Sequence, residues 1–376
     1  MSIPFIDLKA QYARIEQTIQ DNIKKVLDHG QYVMGAEIKE LEEKLAEYCG
    51  TKYAVACASG TDALTMSLLA LGIGRGDAVF TSAFTFFATG ETIAMIGATP
   101  IFVDVDPRTM NMDCEKLQEA IDKVKAEGKL KATAIMPVDI FGMPCDYDAM
   151  MPIAEAEGLK VIEDAAQAFG ADFKGKRCCS YGEIGCTSFF PAKPLGCYGD
   201  GGMCFTDDEK LYELLLSVRV HGQGKDKYEN VRFGVTGRMD TMQAAILLPK
   251  FDLFPEELEK RNEIAAYYNE RLGVSEEMAV PFIPEGLKSC WAQYTLIAKD
   301  EATQEKLVKA LQDASIPVAR YYPLPLHMQK AFDYLEYKPE DLPVTYELSK
   351  TVFSLPMHPY LTKEMQDTIC DTLLNA

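Results

Sequence analysis

Lys193 is the residue whose type and setting point most directly to chemistry. It is flanked by Pro191 and Pro194 in the stretch SFFPAKPLG. Proline fixes its own φ and restricts the residue before it, so this loop is stiff. A lysine amine attacks a carbonyl carbon only when it is neutral, and its reference pKa is about 10.4. An enclosed pocket would lower that pKa, so Lys193 is a candidate attachment point for a carbonyl compound. The alternative is an exposed lysine in a tight turn.

Two adjacent carboxylates, Glu163 and Asp164, end an apolar run in the stretch VIEDAAQ. Because side chains alternate along a strand, the two acids point to opposite sides, and only one can face a ligand crevice. An acid in that position pairs well with a cationic group of a ligand. The alternative for either carboxylate is a helix cap.

A third candidate site is the stretch Ser59-Gly60-Thr61-Asp62, which stands between a predicted strand and a predicted helix. Glycine lets the backbone approach a ligand closely, and the first N–H groups of a helix lack partners. Such a helix start attracts a phosphate. The alternative is N-capping of the helix by Ser59 or Thr61.

Arg238 lies in a glycine-rich turn, GVTGRMD, which precedes a predicted helix over 242–248. The guanidinium fork matches both oxygens of a carboxylate, so this arginine suits an acidic ligand. An ion pair with a surface acid is the alternative.

The elements that must position these residues alternate between strand and helix from about residue 50 to 206. Amphipathic stretches such as Asp62–Leu71 predict the helices. The predicted strands are Tyr53–Ala58, Ala78–Thr81, Pro100–Val105, Ala132–Val138, Lys160–Glu163, Cys186–Phe189 and Gly202–Thr206. This alternation predicts an α/β fold, in which a mostly parallel seven-stranded sheet lies between helices. Ligands bind at the carboxyl ends of such strands, where Asp164, Lys193 and Gly60 would meet.

The chain changes character near residue 250. A helix is predicted over Glu256–Leu272, followed by a strand (Trp291–Ala298), a helix (Glu301–Ala314), a strand (Ile316–Tyr322), a proline-rich loop and a final helix. We therefore predict a large α/β domain over residues 1–250 and a smaller C-terminal α+β domain over residues 251–376.

Composition excludes several classes of protein. The formal charge of −19 repels nucleic-acid backbones, so nucleic acid is not an expected partner. No apolar run approaches a membrane span and the N-terminus does not have the pattern of a signal peptide, so we expect a cytoplasmic protein. The eleven cysteines and four histidines show neither zinc nor disulfide spacing, and we expect no metal site.

Together these stretches resemble the DegT/DnrJ/EryC1/StrS family of sugar aminotransferases, which are fold-type-I (aspartate aminotransferase-like) pyridoxal-phosphate enzymes. The resemblance covers nearly the whole chain. It rests on PFIDL, GQY, SGTDAL, GDAVFTSAFTFFAT, GATPIFVDVDP, VIEDAAQAFGA, SFFPAKPLGCYGDGG, HGQ, YYPLPLH and SLPMHPYL, in that order. The stretches SFFPAKPLGCYGDGG and SLPMHPYL are most similar to the branch that places an amino group on C3 of a UDP-3-keto-N-acetylglucosaminuronic acid.

The resemblance implies roles for individual residues. Lys193 would carry pyridoxal 5′-phosphate as a Schiff base, and Asp164 would pair with the pyridinium nitrogen. The other implied cofactor contacts are Gly60, Thr61, Phe86, Gln167, Ser188 and, from the neighbouring subunit, Thr236. Many relatives have Asn at the position of Thr236, and threonine lacks the two-donor amide. The implied substrate contacts are Tyr32, His221, Arg238, Tyr322 and His327.

The same resemblance implies a homodimer with active sites at the subunit interface. It also implies L-glutamate as the amino donor, pyridoxamine 5′-phosphate as an intermediate, and a product that feeds synthesis of a surface polysaccharide such as lipopolysaccharide. Three alternatives stay open. They are amination of another keto sugar (at C4 or dTDP-linked), a pyridoxal-phosphate-dependent sugar dehydratase or epimerase, and a non-catalytic regulatory protein of the same fold. The dehydratase branch has histidine in place of the lysine, and Lys193 argues against it.

Overall fold

The computed structural model describes residues 3–226 and 228–376, and its central feature is a seven-stranded sheet. In chain order the strands of the described residues are β1 (Tyr53–Cys57), β2 (Asp77–Ser82), β3 (Thr99–Val103), β4 (Lys131–Met136), β5 (Lys160–Asp164), β6 (Asp172–Phe173), β7 (Lys176–Arg177), β8 (Ile184–Ser188), β9 (Gly202–Thr206), β10 (Met278–Ala279), β11 (Leu287–Lys288), β12 (Tyr294–Ala298) and β13 (Val352–Leu355).

The helices cover this sheet and build most of the remainder. In chain order they are α1 (Leu8–His29), α2 (Ala36–Cys49), α3 (Gly60–Ala70), α4 (Phe87–Met95), α5 (Cys114–Glu127), α6 (Tyr147–Glu157), α7 (Glu209–Val218), α8 (Thr241–Leu272), α9 (Glu301–Asp313), α10 (Pro343–Thr351) and α11 (Lys363–Leu374).

The strand order of the central sheet is β1-β9-β8-β5-β4-β2-β3. Strand β9 pairs antiparallel with both of its neighbours, and the other four pairs are parallel. Six strands therefore run in one direction and only β9 is reversed, which confirms the predicted mostly parallel sheet. The carboxyl ends of β1, β2, β5 and β8 consequently lie along one edge of the sheet.

Burial on both faces explains why these strands read as nearly continuous apolar runs. On one face Val55, Ile162 and Cys186 pack with residues of α3. On the other face Phe80, Ile135 and Val161 pack with residues of α5 and α6. Cysteine contributes to this interior as a small apolar residue, because ten of the eleven are buried and all eleven are free thiols.

All seven predicted strands of this sheet are confirmed, and each predicted end lies within two residues of the observed one. The predicted strand over Ile316–Tyr322 is wrong, because only Ala319 bridges to Ser354 there. Pro317 lacks the N–H that a ladder requires. The sheet order β10-β12-β13 instead uses Val352–Leu355, a strand that the sequence analysis did not predict.

The proposed domain boundary lies inside a single helix. The predicted helices over 242–248 and 256–272 form one 32-residue helix, α8, which contains Pro249 and Pro255. Its first half packs with the central sheet through residues such as Leu247, and its second half packs with the small sheet through residues such as Tyr268. The division into residues 1–250 and 251–376 stays a prediction. Among the described residues, the helices are all too short or too polar to span a bilayer.

Candidate active site

The functional side chains predicted from the sequence gather where the parallel strands end. Asp164 is the last residue of β5, and Ser188 is the last residue of β8. Gly60 begins α3 just after β1, and Phe86 caps α4 after β2. The edge is therefore the crevice that a sheet of this type offers to a ligand.

Lys193 has an amine suited to nucleophilic attack. The residue is partly open to the crevice, but its amine is enclosed by protein. Burial lowers the pKa of Lys193 to about 8, although the nearby Asp164 carboxylate opposes that shift. About a tenth of the amine is then neutral at pH 7, against roughly 0.04% at the reference pKa. The structure therefore supplies the enclosed setting that the sequence analysis required of this lysine.

Asp164 is a buried carboxylate with a donor on each oxygen. Thr89 Oγ1 donates to Oδ2 at 2.8 Å, and the backbone N–H of Ala166 donates to Oδ1 at 3.2 Å. Burial raises the pKa of Asp164, while these two donors and the Lys193 ammonium act in the opposite direction. Hydrogen bonds to the charged form favour ionisation, so the site is arranged to keep a negative charge in a dry place.

Glu163 lies on the opposite side of β5, as the strand alternation predicted. Its two oxygens accept from the backbone N–H groups of Cys179 and Tyr181 at 2.7 and 2.8 Å. The neighbouring carboxyl is Asp139, which is also fully buried. Of the two adjacent acids, Asp164 alone is on the side of Lys193.

Gln167 and Tyr322 join the central sheet to the C-terminal part of the chain. The backbone N–H of Phe141 donates to Gln167 Oε1 at 2.9 Å, and Gln167 Nε2 donates to Tyr322 Oη at 3.1 Å. A backbone N–H must donate, which fixes the orientation of the amide. The Tyr322 ring lies 6.4 Å from the ring of Phe86, whose side chain is 57% exposed. The second N–H of Gln167 Nε2 has no acceptor among the described residues, and the Tyr322 side chain that it binds lies close to the exposed Phe86 ring.

A phosphate would fit at the start of α3. The Ser59 side chain accepts from the N–H of Asp62 at 3.0 Å, so the capping interpretation is correct for that residue. The cap does not use the N–H groups of Gly60 and Thr61. A Cβ at Gly60 would lie 2.7 Å from Ser188 Cβ, so only glycine allows Ser188 this close to the helix start. The result is a cradle of two backbone donors and a hydroxyl.

A second group of predicted residues lies together on an outward face. Arg238 Nη2 donates to Thr236 Oγ1 at 2.7 Å, and Arg238 makes no ion pair with the acids of the described residues. The backbone carbonyl of Tyr32 accepts from the N–H of Thr241, three residues after Arg238. The backbone N–H of His221 donates to the carbonyl of Val235. Tyr32, His221 and Thr236 are exposed. Tyr32 and His221 therefore lie beside the segment that carries Thr236 and Arg238, and these four residues form no hydrogen bond or ion pair with Lys193 or Asp164 among the described residues.

His327 is buried, with 3% of its surface exposed. Its ring lies 6.3 Å from that of Tyr337, and neither ring nitrogen has a hydrogen-bond partner among the described residues. Burial lowers the pKa of His327 to about 4, so the imidazole is neutral at pH 7. Its role as a substrate contact stays a prediction.

The sequence analysis missed the residues that hold Asp164 and Gln167 in place. Thr89 and Thr85 are buried hydroxyls four residues apart, at the start of the helix that follows β2. Phe141 presents its N–H to Gln167 from a left-handed backbone conformation, with φ of 59°. The available signal for the threonines was the pair of hydroxyls at helical spacing beside a strand end.

Comparison with known proteins gives a family match and relatives over almost the whole chain. The sequence profile of the DegT/DnrJ/EryC1/StrS aminotransferase family matches residues 13–374. The UDP-2-acetamido-2-deoxy-3-oxo-D-glucuronate aminotransferase of Pseudomonas aeruginosa is 46% identical over 376 residues, covering 99% of this chain and 100% of the relative.

Two solved structures show the same fold. A DegT DnrJ EryC1 StrS aminotransferase from Brucella abortus superposes with a TM-score of 0.95 at 47% identity, and the match covers 99% of each chain. NtdA from Bacillus subtilis, solved with bound cofactor PMP, superposes with a TM-score of 0.88 at 30% identity, covering 100% of this chain and 85% of that one.

Proposed function

Since this chain belongs to the DegT/DnrJ/EryC1/StrS aminotransferase family, we propose that it transfers an amino group from L-glutamate to a keto nucleotide-sugar. The acceptor is C3 of a UDP-3-keto-N-acetylglucosaminuronic acid, the sugar class named for the Pseudomonas aeruginosa relative. The observation that carries the proposal is that an enclosed, low-pKa lysine lies at the same strand edge as a buried aspartate whose two oxygens each accept a hydrogen bond. We assign the reaction to the cytoplasm and to synthesis of a surface polysaccharide such as lipopolysaccharide.

The cofactor is pyridoxal 5′-phosphate, and the residues at the strand edge fit it. Lys193 would hold its aldehyde covalently, and the cradle of Gly60, Thr61 and Ser188 would hold its phosphate. Phe86 would stack on the ring, and the free N–H of Gln167 would bind the ring hydroxyl. When bound, the cofactor supplies an electron sink that stabilises negative charge at the substrate carbon.

Lys193 and Asp164 divide the proton chemistry between them. Asp164 would face the ring nitrogen and favour its protonated form, because opposite charges at close range stabilise each other. The Lys193 amine, once the amino donor has displaced it, is held beside the substrate. Its nitrogen would take a proton from the substrate carbon as general base, and the ammonium so formed would donate that proton to the former aldehyde carbon as general acid. A pKa of about 8 suits both tasks near neutral pH.

The acceptor sugar would be recognised by the outward-facing group and by Tyr322. Arg238 has no competing acid among the described residues, so it is free to bind a uronic acid carboxylate in a two-point contact. Tyr32, His221 and His327 are the further proposed contacts. Arg238→Lys should reduce kcat/KM for a uronic acid acceptor more than for a neutral keto sugar, because lysine cannot reproduce the fork. Equal losses on both acceptors would assign Arg238 to the cofactor phosphate or to the fold.

A homodimer would place this outward-facing group in the neighbouring site. Thr236 and Arg238 form no hydrogen bond or ion pair with Lys193 or Asp164 among the described residues, and we propose that they serve the site of the second subunit. Exposed apolar side chains surround them, including Val33, Val231 and Phe233, the last 93% exposed. Such a patch is typical of an interface. Sedimentation should show a dimer, and a fully active monomer would contradict this assignment.

An absorption spectrum tests the proposed function directly. The purified protein with pyridoxal phosphate should show a visible band that depends on Lys193. L-glutamate should convert that band to the pyridoxamine form, and a keto nucleotide-sugar should restore it. A band that glutamate leaves unchanged would favour the dehydratase or epimerase alternative. Absence of any band in the wild-type protein, with an intact fold by circular dichroism, would favour a non-catalytic role.

A further inference from the structure

Two buried threonine hydroxyls lie in line behind Asp164. Thr89 Oγ1 is 2.8 Å from Asp164 Oδ2, and Thr85 Oγ1 is 3.1 Å from Thr89 Oγ1. Thr85 is 2% exposed and Thr89 is 1% exposed. Beyond this contact with Asp164, neither hydroxyl has a role in the proposed reaction.

The direction of these hydrogen bonds follows from the number of protons available. An ionised carboxylate can only accept, so the single hydroxyl proton of Thr89 must lie toward Asp164. The oxygen of Thr89 can then only accept from Thr85, which must donate. The chain is therefore ordered from Thr85 to Thr89 to Asp164, and its charged end strengthens the whole series.

Thr89 departs from the usual behaviour of threonine in a helix, which is to bond the carbonyl four residues earlier. Thr65, Thr368 and Thr372 all do so in this chain. Thr89 instead donates its hydroxyl proton to Asp164, which is 75 positions away in the chain. Its neighbour Thr92 is equally buried in the same helix, but bonds only a backbone carbonyl, that of Thr89.

The position of Thr89 also links two parts of the cofactor site. Thr89 lies in the first turn of α4, whose N-cap is Phe86, and its N–H donates to the Phe86 carbonyl at 3.2 Å. One rigid turn therefore presents an aromatic ring to the crevice and a hydroxyl to Asp164. Any shift of this turn would move both contacts together.

We propose that Thr89, supported by Thr85, is a positioning residue that keeps Asp164 ionised and oriented toward the ring nitrogen. The inference rests on the proposed function and deepens it. Burial raises the pKa of Asp164, and Thr89 is the first of the groups that oppose this rise. Without that donor the carboxyl would tend to hold a proton itself, and it would no longer favour a protonated ring nitrogen.

Thr89→Val tests the proposal, because valine has the same shape and no hydroxyl. We expect kcat to fall roughly 10- to 100-fold, the size typical of a lost hydrogen bond to a charged group. KM for glutamate should stay within about 2-fold, since Thr89 does not touch the substrate. The pH midpoint of the visible cofactor band should move to higher pH. The band reports protonation of the Schiff-base nitrogen at Lys193, and that nitrogen is more basic when the cofactor ring is less protonated. Thr89→Ser should restore the wild-type midpoint.

Two further variants separate this role from packing. Thr85→Val should move the midpoint in the same direction by less, because it removes only the second donor. Thr92→Val is the matched control, a buried threonine of the same helix, and should leave the midpoint and kcat unchanged. A wild-type midpoint in Thr89→Val, or an equal shift in Thr92→Val, would overturn the proposal. If the wild-type protein forms the band but does not transfer amino groups, the proposed function fails, and the midpoint of each variant still decides the role of Thr89.

Discussion

Glu163 and Asp164 are consecutive residues of one strand, both fully buried, yet they have different surroundings. Asp164 faces an open crevice, with the Lys193 ammonium and the Thr89 hydroxyl nearby. Glu163 faces a closed interior that contains Asp139, with backbone N–H groups as its donors. Burial raises the pKa of both residues. Depth alone therefore does not identify a functional carboxylate, whereas the charge of its neighbours and access to a ligand do.

We call the Asp164 side of β5 the open side and the Glu163 side the closed side. The pairing of Asp139 with Glu163 explains how the closed side tolerates two acids. Asp139 Oδ1 accepts from the Cys145 N–H at 2.8 Å and from Tyr147 Oη at 3.0 Å, whereas Oδ2 has no partner among the described groups. Both Glu163 oxygens already accept. Burial raises the pKa of both acids, and the charge of Asp139 adds to the rise at Glu163, so we expect the pair to share one proton. Cys178 is the third buried group nearby, with one atom of each residue within 4.8 Å of the others.

The largest effect should follow removal of the amine on the open side. Lys193→Ala should abolish turnover, because both covalent attachment and proton transfer depend on one atom. The protein should still fold, since the change removes a buried amine rather than core packing. Steady-state transamination assays with circular dichroism as the folding control measure this. Normal turnover by Lys193→Ala would refute the catalytic assignment on which the comparison rests.

Removal of the charge from Asp164 should have the next largest effect. Asp164→Asn should keep cofactor binding, because the phosphate cradle is untouched, and should reduce kcat roughly 10- to 100-fold. Glu163→Gln is the matched control, one residue away and equally buried. It should leave the visible spectrum of the bound cofactor unchanged. A similar spectral change in both variants would mean that the two sides of β5 are not functionally distinct.

The sequence revealed the open side far better than the closed one. Lys193 and Asp164 lie in contiguous motifs at strand ends, and the seven strands are marked by apolar runs, so both were predictable. Thr89 acts through Asp164, which is far away in the chain, and no local sequence pattern predicts that contact. Asp139 likewise meets Glu163 only after β4 and β5 pair.

The C-terminal part shows another limit of local patterns. The apolar segment at 316–322 has the composition of a strand, but Pro317 removes a ladder donor. Strand β13 follows directly on α10 without a glycine or proline to mark the change, so the pattern gave no boundary. Long α8 hid the junction in the same way, because a helix that continues across it leaves no loop to detect.

The smallest and most local effect concerns stability on the closed side. In Asp139→Asn the amide oxygen can accept from Cys145 and Tyr147, and the amide N–H₂ can donate to Glu163. Glu163→Gln has one acceptor oxygen for two backbone donors, so it strands a buried N–H and should cost about 1–3 kcal/mol. Urea unfolding at fixed protein concentration should therefore rank Asp139→Asn as the more stable variant. The reverse order would place the shared proton on Glu163.

Asp139→Asn should also differ from the wild type in the pH dependence of its stability. The folded-state pKa of the pair is raised above the unfolded value of about 4, so the native state keeps a proton that the unfolded chain has released. The contribution of this pair to stability must then fall as pH rises from about 4 toward the raised pKa, by about 1.4 kcal/mol per pH unit for one proton. In Asp139→Asn the pair no longer holds a shared proton, so the stability of this variant relative to the wild type should rise with pH at that slope. Parallel pH profiles for the two proteins would mean that the pair holds no extra proton, and the contrast between the two sides of β5 would then rest on ligand access alone.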